Sequence, residues 1–337
     1  MLMTQERQDT LEGEGLADPS NPALERIGFH LKREFFPMGF PVLVETNREE
    51  ILQAADASWQ SFGKLFDTAP IRIRCGVRAG QNTECPQAPE YQTQDHLVSI
   101  IADPENFAVA DISQRYAQIW LTETAVAHPS YVRYFFLEAA ALINISTSHA
   151  IAVHAACIAR NGAGILLCGD SGAGKTSLAY AAARAGWTYI TDDASYIVNG
   201  HADNLVVGKC TQLRFRPSAL TLFSELDGRN VIQRAQKGKP SIEVATQPLR
   251  NISTSPVAHV KHVVFLNRQD VRQQELVSYT KSAARKFMLS GLYSLPEQLK
   301  VQTDTIDSLL ENGAFQLRYS DLDWAIERLS LLADTGQ

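Results

Sequence analysis

Residues 164–186 read GILLCGDSGAGKTSLAYAAARAG, and their reading decides the fold. The opening Gly164-Ile165-Leu166-Leu167-Cys168 is an apolar run of strand length. Gly169-Asp170-Ser171-Gly172-Ala173-Gly174-Lys175-Thr176 then fits the pattern G-x-x-x-x-G-K-[ST] at every fixed position. Ser177 opens an Ala-rich stretch that favours helix and stops at Gly186, a residue suited to the position after a helix C-cap. Strand, glycine loop and helix in this order build an anion cradle. Glycines let successive backbone N–H groups turn inward, and the helix N-terminus adds about half a positive charge facing the same point. The expectation is a nucleoside triphosphate site, with the loop residues and Ser177 around the phosphates, Lys175 at the β and γ groups, and the Thr176 hydroxyl on Mg2+.

Working outward, residues 152–159 form a second apolar strand, joined to the first by a hairpin turn at Arg160, Asn161 and Gly162. His154 stands within it; a lone His in an apolar run is ordinarily a hydrogen-bonded core residue, and only its spacing from the loop suggests more. On the other side, Trp187-Thr188-Tyr189-Ile190-Thr191 reads as the next strand and ends in Asp192-Asp193. Asp pairs commonly cap turns. Carboxylates at the C-terminal end of a parallel strand beside a phosphate loop sit instead where phosphates and metal meet, so one of the pair can hold the Mg2+ shell and the other can accept a proton from an attacking hydroxyl.

These residues resemble the C-terminal catalytic domain of HPr kinase/phosphorylase and its relatives. The likeness rests on Val153-His154-Ala155-Ala156, on GILLCGDSGAGKTSLA, and on Asp192-Asp193, and runs on more weakly through His262-Val263-Val264-Phe265-Leu266 to Arg268. It implies an α/β fold: a P-loop domain of the HPr-kinase and phosphoenolpyruvate-carboxykinase type, preceded by a small α/β N-terminal domain. It further implies that Lys175 binds phosphate, Thr176 binds metal and Asp193 accepts the proton, with His154 and Asp192 lining the same pocket and Asp192 placed with Thr176 at the metal. The implied activity is an ATP- and Mg2+-dependent serine kinase acting on a protein or peptide. Related enzymes form hexamers, so a homo-oligomer is an expectation. The family's Glu-containing signature has no counterpart in residues 208–217, GKCTQLRFRP, and the N-terminal region is closer to divergent members, some similar to kinases that modify a serine of a precursor peptide. Two other readings stay open: a nucleotide-holding regulatory or assembly module, and a kinase of a small hydroxyl metabolite.

The remainder of the chain supplies the setting. Residues 1–25 are polar, without periodicity, and read as a mobile tail. Residues 26–128 read as an α/β domain, with strands over 40–45, 70–77, 96–102 and 117–124, a helix over 48–62 and a loop over 80–90. A joint at His128-Pro129 precedes a helix over 130–145, where the P-loop domain, 129–337, begins. Arg214 and Arg216 alternate on a strand and share one side, where they clamp an anion or simply face solvent. Lys237-Gly238-Lys239-Pro240 reads as an exposed turn that is also placed to close over a ligand. Leu322, Ile326, Leu329 and Leu332 are spaced as a helix packing face.

With 31 Lys plus Arg against 37 Asp plus Glu, the net charge of -6 gives no general attraction to nucleic acid or anionic membrane. Apolar runs fall far below the ~20 residues of a spanning helix, and the acidic N-terminus has no signal-peptide core, so the expected location is cytoplasmic. Five scattered cysteines suit buried reduced thiols. His149 with His154, and His259 with His262, have no partner pair at zinc spacing.

Overall fold

The computed structural model describes residues 27–201, 203–232, 239–246, 252–268, 273–292, 296 and 298–335. Residues 1–25, read as a tail, and Lys237 and Gly238 of the basic turn lie outside them.

The first half of the chain supplies strands β1 (Leu31–Phe35), β2 (Val42–Thr46), β3 (Ile71–Arg78), β4 (Glu90–Gln94), β5 (Leu97–Ile101), β6 (Phe107–Asp111) and β7 (Tyr116–Thr122). They form one sheet in the order β1-β2-β3-β7-β6-β5-β4, parallel across β2, β3 and β7 and antiparallel elsewhere. Helix α1 (Glu49–Trp59) and the short α2 (Glu123–Val126) and α3 (Pro129–Val132) follow from the same segment. From α3 a π-helical turn leads into α4 (Glu138–Ser148), which buries Ala140, Ala141 and Ile145 in the same apolar core as Ile73, Ile100 and Ile119. The helix expected over 130–145 is therefore present and packs on the first sheet. That core also takes in Tyr196, Val198 and Val207 from strands of the next sheet.

The next elements are β8 (Ala150–Val153), β9 (Ala155–Arg160), β10 (Ala163–Cys168), α5 (Lys175–Arg184), β11 (Thr188–Thr191), β12 (Ser195–Val198) and β13 (Leu205–Gly208). A small sheet of β14 (Gln212–Phe215), β15 (Val231–Ile232) and β16 (Ser241–Ala245) has the order β14-β16-β15. The chain closes with β17 (Ser253–Thr254), β18 (Val257–Asn267), β19 (Glu275–Tyr279), α6 (Lys281–Ser290), α7 (Leu299–Leu309), β20 (Ala314–Arg318) and α8 (Leu322–Thr335). The large sheet runs β17-β11-β9-β10-β18-β13-β12-β8, with β20 and then β19 added on β18.

Why these strands are apolar throughout is visible in β10. Ile165 and Leu167 enter a core with Leu178 and Ala182 of α5 and Leu329 of α8, while Leu166 and Cys168 enter the opposite core with Met288 of α6 and Ile306 of α7. With helices on both faces, a period-2 alternation of side chains buries every position. The hairpin between β9 and β10 turns through Asn161 and Gly162, at φ 50° and 80°, the left-handed pair that a two-residue turn requires. No helix among the described residues is long and apolar enough to cross a membrane.

Two features differ from the sequence reading. The run 152–159 is not one strand: it bends at His154, so that β8 pairs with β12 and β9 pairs with β10 and β11. Asp192 and Asp193 follow β11, which is not the immediate neighbour of β10, because antiparallel β9 lies between the two. Of the cysteines, Cys75, Cys157, Cys168 and Cys210 are buried and free as expected, whereas Cys85 is free and exposed.

Candidate active site

The topology brings three chain segments to one edge of the large sheet. β10 and β11 both end there, and β9, running the other way, begins there, with Ala155 opposite Cys168. His154 stands just before β9, the glycine loop just after β10, and Asp192-Asp193 just after β11. The β11-to-β12 and β8-to-β9 crossings meet at the same point, since Ser195 pairs with Val153 beyond it.

The loop is shaped by its glycines. Gly172 and Gly174 have φ 94° and 95°, where a side chain is strained. A Cβ at Gly174 would also stand 2.8 Å from Tyr319 Oη and 2.9 Å from Arg268 Cδ. Gly174 is the N-cap of α5 and offers no side chain to the free amides of the first turn, which therefore await an acceptor from outside the helix. Lys175, nearly buried, folds its Nζ back onto Gly169 O at 2.7 Å and Asp170 O at 3.2 Å. Burial pulls its pKa down, and the negative charges of Asp193, Asp170 and Asp192 oppose that shift.

The two aspartates are in different surroundings. Asp192 is buried; Oδ2 accepts from Arg214 N–H at 2.9 Å, and Oδ1 lies 3.0 Å from the Tyr189 hydroxyl. Thr176 stands beside it in the cleft lining. Burial lifts Asp192 to about 6, the Arg214 amide and the hydroxyls working against the lift and the Asp193 charge adding to it. Asp193 is exposed in the cleft, with Oδ1 3.2 Å from His154 Nδ1. One aspartate is thus fixed beside Thr176, and the other is open to a ligand.

Around these groups lies a cleft of about 330 Å³, lined by His154, the glycine loop, Lys175, Thr176, Ser177 and both aspartates, and on its far side by Arg214, Arg216 and Arg268. Every side chain predicted for the site from 171 onward except Ala173 lines it; Gly169, Asp170 and Ala173 line an adjoining hollow on the loop's outer side. Arg214 on β14 and Arg216 just past its end both line the cleft, while Leu213 and Phe215 turn into the core. Lys239 reaches the loop, donating to Ser171 Oγ at 3.2 Å.

Arg268 and Tyr189 were not foreseen as site residues. Arg268 follows β18, the parallel neighbour of β10, so its place at the end of a parallel strand was the available signal. Tyr189 points into the core and acts on the site only through Asp192, which no sequence pattern reveals.

The donor set fits a nucleotide and a magnesium ion in a particular way. The orphan amides and Lys175 match phosphate oxygens. Thr176 and Asp192 would offer two oxygen ligands, and no group of three His, Cys, Asp or Glu residues among the described residues forms a metal cage. Mg2+ characteristically takes one or two protein ligands and completes its shell with phosphate oxygens and water.

No protein-family model matches the chain, and no curated protein matches it. Among solved structures, the Hpr(Ser) kinase/phosphatase from Coxiella burnetii is similar at 12% identity and a TM-score of 0.29, over 54% of this chain and 94% of that one. A likeness of that size carries no functional argument, which rests on the geometry of the cleft.

Proposed function

We propose that the chain is an ATP- and Mg2+-dependent kinase that transfers the terminal phosphate to a serine hydroxyl of a protein or peptide, with Asp193 as general base. The carrying observation is the exposed Asp193–His154 pair on the same sheet edge as Lys175 and the glycine loop. Holding a nucleotide requires no such base.

In this reading the loop amides and Lys175 bind the β and γ phosphates, Lys175 leaving its loop carbonyls to do so. Thr176 and Asp192 hold Mg2+, which when bound supplies charge neutralisation at the phosphate oxygens. Asp193 takes the proton of the acceptor hydroxyl as its oxygen bonds to the γ phosphorus and the bond from that phosphorus to the β–γ bridging oxygen breaks, leaving ADP. His154 keeps the Asp193 carboxylate turned to the cleft. Residues 129–337 are proposed as the catalytic domain and 26–128 as an accessory one.

Incubation of the protein with Mg-ATP and serine-containing candidate proteins or peptides, read by mass spectrometry for phosphoserine, tests this. Asp193→Asn should slow transfer by roughly 10^2 to 10^4 while ATP affinity stays nearly unchanged. Equal loss of binding and transfer would remove Asp193 from the base role. The second reading, a module that holds ATP without transfer, is motivated by residues 208–217, GKCTQLRFRP, which hold no counterpart of the Glu-containing signature. It predicts ATP binding and no phosphorylated product from any acceptor.

A further inference from the structure

The catalytic cleft accounts for phosphates and acceptor but not for the rest of a nucleotide. Beside it lies a second cleft, of about 540 Å³, and the two share Leu222 and Arg268. The second cleft is walled by Ala181 and Arg184 of α5 and its C-cap residue Ala185 on one side, and by residues 320–323 and Ile326, where β20 passes into α8, on the other.

Helix α5 connects them. Ser177 lines the first cleft; Ala181 and Arg184, four and seven residues on, line the second. That spacing places all three on one face, with Ala181 ~6 Å along the axis from Ser177 at ~1.5 Å per residue. Phosphates seated with their terminal end toward Asp193 and Lys175 bring the α phosphate to the first turn of α5. The ribose and base then leave along this face. The hollow on the loop's other side, against Phe287 and Tyr279, touches residues 169–173 and none of the first turn of α5, so it lies off that line.

The walls suit an aromatic ring with polar edges. Leu222 is 43% exposed there, and Leu322 and Ile326 are partly buried on the opposite side. The Arg268 guanidinium lies over the Tyr319 ring at 5.4 Å, fixed as a flat cation at the border between the clefts. Asp321 caps α8 by accepting from Trp324 N–H at 2.7 Å, which holds the 320–323 segment in place.

We infer that the cleft between α5 and the β20–α8 junction is the nucleoside subsite, taking the ribose and base of the donor between Leu222 and Ile326 with Ala181 as its floor. This rests on the nucleotide reading of the glycine loop, and the test separates the two. Titration calorimetry with Mg-ATP and with magnesium tripolyphosphate, a donor without a nucleoside, is run on the wild type, Ala181→Phe, Ala185→Trp and Lys175→Ala. Ala185 is exposed, so its variant keeps the test sound where Ala181→Phe disturbs packing. The expected result is that Ala181→Phe and Ala185→Trp weaken ATP at least about tenfold and leave tripolyphosphate within about twofold, while Lys175→Ala loses both. Undiminished ATP affinity in both filled-cleft variants, or an equal loss of tripolyphosphate, overturns the subsite. A wild type that binds neither ligand overturns the nucleotide reading itself.

Discussion

Replacing Asp192 by Asn should make the ligand-free protein more stable at neutral pH, though the residue lies at the centre of the site. The Tyr189 hydroxyl has one proton and two acceptors in reach, Gln212 O at 2.8 Å and Asp192 Oδ1 at 3.0 Å. An ionised Asp192 therefore leaves one of these contacts without a hydrogen. Asn resolves the conflict: its amide donates to the Tyr189 oxygen, the hydroxyl donates to Gln212 O, and the Asn oxygen keeps the Arg214 N–H. Burial raises Asp192 from 3.8 to about 6, so the folded state binds more protons than the unfolded state between those values. Stability then falls as pH rises through that window, and the full cost above it is about 3 kcal/mol at about 1.4 kcal/mol per unit. Asn carries no such cost. Denaturant unfolding of both proteins should show Asp192→Asn more stable by about 3 kcal/mol at pH 7.5 and by only about 1 kcal/mol at pH 4.5. Equal stabilities at pH 7.5, or a difference that does not change with pH, would refute the reasoning. The same substitution should abolish most of the stabilisation that Mg-ATP gives the wild type, about 2.7 kcal/mol at a hundred times Kd.

Other perturbations follow from the same geometry. Gly174→Ala meets both a positive φ and the Tyr319 hydroxyl, and should cost about 1–3 kcal/mol in chemical unfolding together with weaker ATP binding; an unchanged midpoint would show that the loop relaxes freely. Leu329→Ala empties a fully buried position where α8 meets α5 and β10, and should cost about 2–5 kcal/mol with ATP affinity preserved once folded, as measured by unfolding and calorimetry.

The glycine loop and its flanking strand and helix were legible because their signals are local: an apolar run, fixed glycines, and Ala-rich helix propensity closed by Gly186. The hairpin at Asn161-Gly162 was legible for the same reason. Within the first sheet, strands β1, β4 and β6 were not recognised, and in the second half of the chain neither were β12, β13, β19 and β20. β4, Glu90-Tyr91-Gln92-Thr93-Gln94, is exposed at every position, so no hydrophobic alternation marks it. The bend at His154 was invisible because apolar residues continue on both sides of it, and only the pairing of β8 and β9 with different strands separates them. The alternation that set Arg214 and Arg216 on one side was readable; that the Arg214 backbone rather than its guanidinium holds Asp192 was not, because it depends on how β14 packs beside β11. Arg268 lay two residues beyond a strand that the sequence did mark, and needed only the knowledge that β18 is parallel to β10.

The most direct measurement is titration of Mg-ATP into the wild type and into Lys175→Ala, followed by a phosphotransfer assay on the same samples. Lys175 Nζ now rests on Gly169 and Asp170 carbonyls, a position from which it can swing to phosphate. The prediction is that the wild type binds and transfers and that the variant does neither. If the two proteins titrate alike, residues 169–176 are only a turn, and the kinase reading falls with them.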